Sequence, residues 1–208
     1  MSGIVGSYFN TRGSGIVAKL GTDGQVFTST GAGLSQGFEA AAGGGVALQV
    51  VQTYLTTVTS QAGGSNGHNV FFDISGLTVT ITPTKASSKL LIDLRVVLAN
   101  NANYGTVKIH ANVDGGSFAD IGEPDASGNM TQGWIGNHFR QSNDNTESAS
   151  YGNIYLWTPT YDLGEDIIIK ALWSIAAGAT IVLNRSVQSG NTTNTFLAPS
   201  SITVTEID

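Results

Sequence analysis

Apolar and polar side chains alternate along most of the chain after residue 46, with the period of two residues that is typical of β-strands. The clearest run covers residues 90–98, where every even position is Leu, Ile or Val. Further alternations cover residues 77–82, 106–113, 154–156, 167–175, 181–183 and 202–204. These patterns predict eight or nine strands and no long helix. Their number and spacing favour an all-β fold, a sandwich of the jelly-roll type.

Two predicted strands carry apolar residues on both faces. Opposite the main apolar face lie Leu91 and Val97 on one strand, and Ile168 and Leu172 on another. Exposed apolar patches are uncommon on monomers, and symmetric oligomers are the usual way to cover them. We therefore predict that these four residues form an interface between copies of the chain. The alternative is that a loop or the N-terminal segment covers them.

The composition changes near residues 43–45, which are three consecutive glycines. Residues 1–45 are rich in Gly, Ser and Thr, so we predict a short glycine-rich attachment segment there and a main domain at residues 46–208. Asp23-Gly24 is a tight-turn signal, which indicates a small hairpin. Because isolated hairpins are only marginally stable, this segment is expected to dock onto other chains or a larger assembly. The alternative is a poorly ordered tail.

Residues 114–149 are the least strand-like part of the main domain, and long loops on a rigid sandwich often carry binding residues. A saccharide could stack on aromatic rings in this loop and accept hydrogen bonds from its cationic side chain. The alternative is that Trp134 and Phe139 fold back to plug one end of the sandwich. The predicted receptor-binding residues are Trp134, His138, Phe139, Arg140, Asn143 and Asp144.

Composition narrows the possible partners. Charged residues make up 12% of the chain, about half of the usual 25% or so, which suits a subunit that buries much of its surface against copies of itself. The net charge is −6 with no basic run, which argues against nucleic acid as a partner. No segment approaches the roughly 20 apolar residues of a membrane span, so no membrane insertion is expected. The absence of cysteine excludes disulfides and thiolate metal sites.

Two segments match sequence motifs of catalytic or cofactor sites but lack the secondary structure that these motifs require. Residues 63–67 match a nucleophile elbow, which needs a strand before it and a helix after it. Residues 13–18 match a dinucleotide-binding fingerprint, but no helix follows them. We therefore predict no enzymatic activity, no cofactor and no metal.

Acidic residues leave two alternatives open. Glycan cleavage would need two carboxylates at a fixed separation, and the spacing of the available ones does not require it. The carboxylates that could take part are Asp120, Glu123, Asp125 and Asp144. The oxygen donors at residues 143–147 could bind calcium, although they lack the spacing of a calcium-binding hand.

The segment at residues 20–50, which begins Leu-Gly-Thr-Asp-Gly-Gln-Val-Phe-Thr, resembles a linker of fibre-type proteins from tailed bacteriophages. The remainder resembles the domain that often follows that linker. The most specific matches are Asn184-Arg185-Ser186 and the terminal strand at residues 200–207. Further matching pieces are residues 76–83, 87–92, 121–129 and 156–159.

The resemblance implies a trimeric jelly roll, similar in shape to tumour-necrosis-factor-like domains, with no catalytic residues. It implies a structural virion protein, assembled in the bacterial cytoplasm as a short trimeric fibre or spike, with residues 1–45 bound to other virion proteins. Host-surface glycan is the expected ligand. The alternative is a capsid decoration or cement protein without receptor binding. Thr205 departs from the family, which often has an apolar residue there, and the long shaft of an extended fibre is absent.

Overall fold

The computed structural model describes residues 25–28, 37–40, 46–63, 70–100, 105–125, 130–137, 148–187 and 197–208. Contacts divide the chain into two units, Met1–Val46 and Ala47–Asp208. In the first unit, β1 (Gln25–Thr28) pairs antiparallel with β2 (Gly37–Ala40). The predicted turn at Asp23-Gly24 lies outside the described residues.

The described residues of the second unit form eleven strands. They are β3 (Ala47–Leu55), β4 (Thr59–Ala62), β5 (Phe72–Ile81), β6 (Lys89–Asn100), β7 (Gly105–Val113), β8 (Ala119–Asp120), β9 (Ile135–Asn137), β10 (Ala149–Trp157), β11 (Ile167–Ile175), β12 (Thr180–Leu183) and β13 (Ser200–Ile207). The two shortest strands, β8 and β9, fall in the stretch predicted as loop. No helix occurs among the described residues, so none there is long and apolar enough to cross a membrane.

The strands form two antiparallel sheets that pack face to face. In the larger sheet, β10 pairs with one edge of β6, and β13 and β12 pair with different parts of its other edge. The sheet extends further through the pairing of β13 with β3 and of β12 with β4. The smaller sheet has the order β5-β11-β7-β8, and β9 also pairs with β7. Successive long strands alternate between the sheets, which is the arrangement of a jelly roll. The predicted all-β, jelly-roll-like sandwich is therefore confirmed.

The core lies between the inner faces of the two sheets. The even positions of β6 and the odd positions of β11 point into it, as the alternating patterns predicted. The inner residues of these two strands are Leu90, Ile92, Leu94, Val96, Leu98, Ile167, Ile169, Ala171, Trp173 and Ile175, all buried. Burial of each large aliphatic side chain stabilises the fold by about 1.5–3 kcal/mol, so these strands supply much of its driving force.

A buried carboxylate joins the last strand to the loop before β6. Oε1 of Glu206 accepts hydrogen bonds from the backbone N–H groups of Thr84 (2.9 Å) and Lys85 (3.1 Å), and its Oε2 accepts one from Nε2 of Gln49 (2.7 Å). Burial alone would raise the pKa of Glu206. The donors from Thr84, Gln49 and Ser88 outweigh burial and lower this pKa below its ordinary value of 4.5.

A second polar junction divides one edge of β6 between β13 and β12. Asn184 donates its backbone N–H to the carbonyl of Val97 (2.8 Å), and the Val97 N–H donates to Oγ of Ser200 (3.0 Å). Ser200 Oγ in turn donates to Oδ1 of Asn184 (2.6 Å), whose Nδ2 donates to the carbonyls of Leu55 (2.8 Å) and Thr57 (2.9 Å). Asn184 has a φ of 67°, a left-handed conformation that Asn tolerates better than most residues.

We predict that Glu206→Gln lowers the free energy of unfolding by about 1–3 kcal/mol at pH 7, because the amide removes charge-assisted hydrogen bonds. The folded pKa of Glu206 is depressed, so its contribution is present above the unfolded pKa and is lost as pH falls through the folded pKa. The gap between variant and wild type should therefore shrink below about pH 4 in urea titrations. Asp125→Asn, at an exposed carboxyl, is the control. A gap that is independent of pH would contradict this explanation.

We predict that Asn184→Gly lowers the free energy of unfolding by about 1–3 kcal/mol, because it removes the hydrogen bonds to the carbonyls of Leu55 and Thr57 and the buried acceptor of Ser200 Oγ. Asn184→Ala should cost about 1 kcal/mol more, since alanine is strained at a left-handed φ. Ser87→Ala, at an exposed residue with a φ of 66°, isolates the backbone contribution and should cost only about 1 kcal/mol. Equal stability of Asn184→Gly and wild type in chemical denaturation would refute the role of the side chain.

Candidate functional site

The outer face of the larger sheet, which points away from the core, is crossed by a mainly apolar row. The strand register aligns Val50 of β3 with Thr205 of β13, Thr205 with Leu91 of β6, and Leu91 with Leu156 of β10. Val50 is 61% exposed, Leu156 is also exposed, and Leu91 is half-buried. The row therefore presents three apolar side chains to solvent across four adjacent strands.

Two further rows extend this outer face along the strands. One aligns Gln52, Thr203, Asp93 and Ile154, and the other aligns Tyr54, Ser201, Arg95 and Gly152. Ile154 is 51% exposed and Tyr54 is 61% exposed. The three rows together make up the outer face of the larger sheet.

The charges within the three rows cancel locally. Nε of Arg95 donates to Oδ1 of Asp93 at 2.7 Å, and this hydrogen bond and the charge of Asp93 raise the pKa of Arg95. A side chain at Gly152 would place its Cβ 2.8 Å from Cδ of Arg95, so glycine gives the arginine room to lie against β10. Because the two charges are paired, the outer face could be covered without leaving an unpaired buried charge.

The four residues predicted to form an interface are not brought together. Leu91 and Val97 lie on the outer side of the larger sheet, whereas Ile168 and Leu172 lie on the outer side of the smaller sheet. Val97 and Leu172 are buried within one chain, and Leu91 and Ile168 are half-buried. A single chain does not test the interface itself, which stays a prediction.

Sequence patterns missed the most exposed apolar residues of the outer face. Val50 and Tyr54 belong to a stretch that reads as mixed, and β10 has neighbouring apolar residues, Ile154, Tyr155 and Leu156, on both faces. All of them are exposed because β3 and β10 are edge strands of the larger sheet. The signal that could have identified them is a run of apolar residues that places apolar side chains on both faces of a strand.

Thr205, which departs from the fibre-type pattern that the sequence resembles, lies in the middle of the apolar row. It points outward and is half-buried, whereas its neighbour Val204 is fully buried in the core. The residue at position 205 therefore contributes to the outer face and not to the packing between the sheets.

Only one of the predicted receptor-binding residues lies in the described ranges. Trp134 is buried, and its Nε1 donates to the carbonyl of Ile121 at 2.5 Å. Its ring meets that of Tyr155 edge-on at 5.7 Å. In this conformation the Trp134 ring belongs to the packed interior rather than to a stacking surface. The remaining residues of this prediction, which lie outside the described ranges, are His138, Phe139, Arg140, Asn143 and Asp144.

The acidic residues considered for chemistry lie partly within and partly outside the described ranges. In the described part of the chain, no three His, Asp or Glu side chains are grouped so that they could hold a metal ion. Asp120 and Glu123 both lie beside Lys108, at 2.7 Å and 3.9 Å from its Nζ. Asp144 and the possible calcium ligands at residues 143–147 lie outside the described ranges.

Comparisons with known proteins gave distant structural similarities. No family model and no curated protein matches the chain. Eiger TNF from S. frugiperda has a TM-score of 0.40 at 9% identity, over 76% of this chain and 93% of that one. Infectious bursal disease virus, Gt strain, has a TM-score of 0.31 at 12% identity, over 86% of this chain and 44% of that one. Dimeric latent PorU from Porphyromonas gingivalis has a TM-score of 0.32 at 12% identity, over 81% and 14%.

Proposed function

We propose that this chain is a structural protein of a tailed-bacteriophage virion, a short homotrimeric fibre or spike whose copies meet through the outer face of the larger sheet. The observation that carries the proposal is the neutral outer face, on which Val50, Ile154 and Leu156 are exposed. The sequence resemblance to phage fibre-type proteins supports the virion setting. The proposed role requires no catalysis and no cofactor.

The size of the outer face supports burial against copies of the chain. Four strands about 4.8 Å apart and three rows about 7 Å apart span roughly 20 Å by 20 Å with their side chains, or ~400 Å². A standard interface buries about 800 Å² on each partner, so neighbouring surface must contribute as well. Among the described strands β10 pairs only with β6, and its second edge is the adjoining surface that a neighbour would cover.

A head-to-tail contact that closes after three copies forms a ring and leaves no open surface. In such a trimer, residues 1–45 would bind other virion proteins, and the loops within residues 122–148 would be free to contact host-surface glycan. Three weak sites on one particle protein, repeated over the virion, would give strong attachment through multivalency.

A second candidate keeps the trimer but changes its task. Trp134, the one described member of the predicted binding cluster, is buried and has its indole N–H bonded to Ile121. This observation favours a capsid decoration or cement protein, whose loops bind no receptor. Contacts of residues 1–45 and of the trimer with neighbouring shell subunits would then provide the function.

Val50→Asp is expected to convert the trimer into monomers with little change in the fold. Val50 is 61% exposed, and exposed substitutions usually change stability by no more than about 0.5 kcal/mol, whereas an unpaired charge in an interface is strongly unfavourable. Leu163→Asp is the matched control, because Leu163 is also 61% exposed but lies in a turn outside the outer face. Size-exclusion chromatography with light scattering provides the measurement. Trimers of Val50→Asp would exclude the outer face as the interface.

Gold-labelled antibodies against the purified protein should bind the tails of phage particles in electron micrographs. The purified protein should also block adsorption of those particles to their host. Uniform labelling of the capsid without blocking would favour the cement protein over the fibre or spike. Particles that contain none of the protein would contradict both candidates.

A further inference from the structure

Four ionisable side chains, those of Lys108, His110, Asp120 and Glu123, meet on the outer side of the smaller sheet, away from the outer face of the larger sheet. Nζ of Lys108, on β7, lies 2.7 Å from Oδ1 of Asp120, on β8, and 3.9 Å from Oε1 of Glu123. The register pairs His110 with Asp120, so Asp120 is the diagonal neighbour of Lys108 on the same face. One amine and two carboxyl groups are thus held by adjacent strands and the loop that follows them.

The amine and one carboxyl group of this cluster are largely removed from water. The side chains of Lys108 and Glu123 are 12% and 13% exposed. The ring of Phe71 covers the Lys108 ammonium, with its centroid 4.1 Å from Nζ. Oε1 of Glu123 is buried and accepts no hydrogen bond from the described residues. Burial raises the pKa of Glu123 above its ordinary value, although the charge of Lys108 opposes this shift.

A simple ion pair does not account for all three groups. Lys170 and Asp73 form an ordinary pair on the same sheet, at 2.9 Å, with the Phe118 ring 4.0 Å from the Lys170 ammonium. Among the described residues, no second carboxylate lies within ion-pair distance of Lys170. The cluster at Lys108 differs by a further buried carboxyl group, Glu123, whose Oε1 lies 3.9 Å from Nζ of Lys108.

We propose that Lys108 and Asp120 are joined by an intramolecular isopeptide bond, with Glu123 carrying the proton. The bond between Nζ and Cγ forms as one bond from Cγ to a carboxylate oxygen breaks. The ammonium loses two protons to the departing oxygen, which leaves as water, and the amide nitrogen keeps one proton. Glu123 accepts a proton from the amine, delivers it to the departing oxygen and is regenerated. The reaction needs no oxidant, reductant or other reactant.

The fold provides two conditions that free amine and carboxyl groups in water do not have. Nζ of Lys108 lies 2.7 Å from Oδ1 of Asp120, so the amine is held next to the carboxyl group. Well-oriented intramolecular reactions reach effective molarities of about 10⁵–10⁸ M. Nε2 of His110 lies 2.5 Å from the same Oδ1, where an N–H would stabilise the negative charge of the tetrahedral intermediate. The product would fasten β8 covalently to the neighbouring strand β7, a useful property for a protein exposed on a particle.

Denaturing mass spectrometry of the intact, purified chain tests the proposal. The wild-type chain should be lighter than its sequence mass, after allowance for removal of Met1, by the mass of one water molecule. A protease digest should contain a branched peptide that joins residues 108 and 120. A wild-type chain at its full sequence mass would overturn the proposal.

Variants distinguish the isopeptide bond from other reactions that remove a water molecule. Lys108→Arg keeps the positive charge but removes the nucleophile, so its chain should have the full mass while circular dichroism shows an intact fold. Glu123→Gln should slow formation of the bond strongly in freshly made protein. Lys170→Arg, which alters the ordinary pair, should retain the water loss. A succinimide at Asp114-Gly115 would also remove water, but it would persist in Lys108→Arg, and that outcome would refute the proposal.

Discussion

The larger sheet depends on how two strands share one edge of β6. β13 pairs with residues 89–95 of that edge and β12 with residues 98–100, and the gap between them is closed at Val97 by Asn184 and Ser200. A slip of one residue at this junction would turn every side chain of β6 to the opposite face. The buried hydrogen bonds of Asn184 therefore fix which residues enter the core and which appear on the outer face.

The two sheets share a core but differ in the chemistry of their outer sides. The larger sheet presents Val50, Ile154 and Leu156 around a neutral Asp93–Arg95 pair, which suits contact with copies of the chain. The smaller sheet presents lysines, carboxylates and aromatic rings, the setting of the proposed bond between Lys108 and Asp120. The proposed interface and the proposed bond lie on opposite sides of the sandwich, so variants can alter either one without altering the other.

The period-two patterns predicted the fold well because burial on one side of a strand is a local property of its sequence. The inner faces of β6 and β11 were read correctly for this reason. The same patterns do not say which strands are neighbours, so Leu91 and Ile168 were assigned to one interface although they lie on different sheets. The exposed residues of β10 were missed because an edge strand can be apolar on both sides.

Sites that depend on strand register could not be predicted from the sequence. Asp120 and Glu123 were recognised as acidic residues, but their approach to Lys108 follows from the pairing of β8 with β7 and from the loop after β8. Glu206 likewise gives no sign in the sequence that it is buried, because its donors come from the distant loop at residues 84–88. Polar junctions of this kind need the folded backbone before they can be seen.

Sedimentation equilibrium of the purified full chain over a wide dilution series is the most direct test of the central claim that copies associate as a closed trimer. A closed trimer gives a single species of three times the 21.5 kDa chain mass that persists at micromolar concentrations, without a populated dimer. A species with the mass of one chain at every concentration would contradict it.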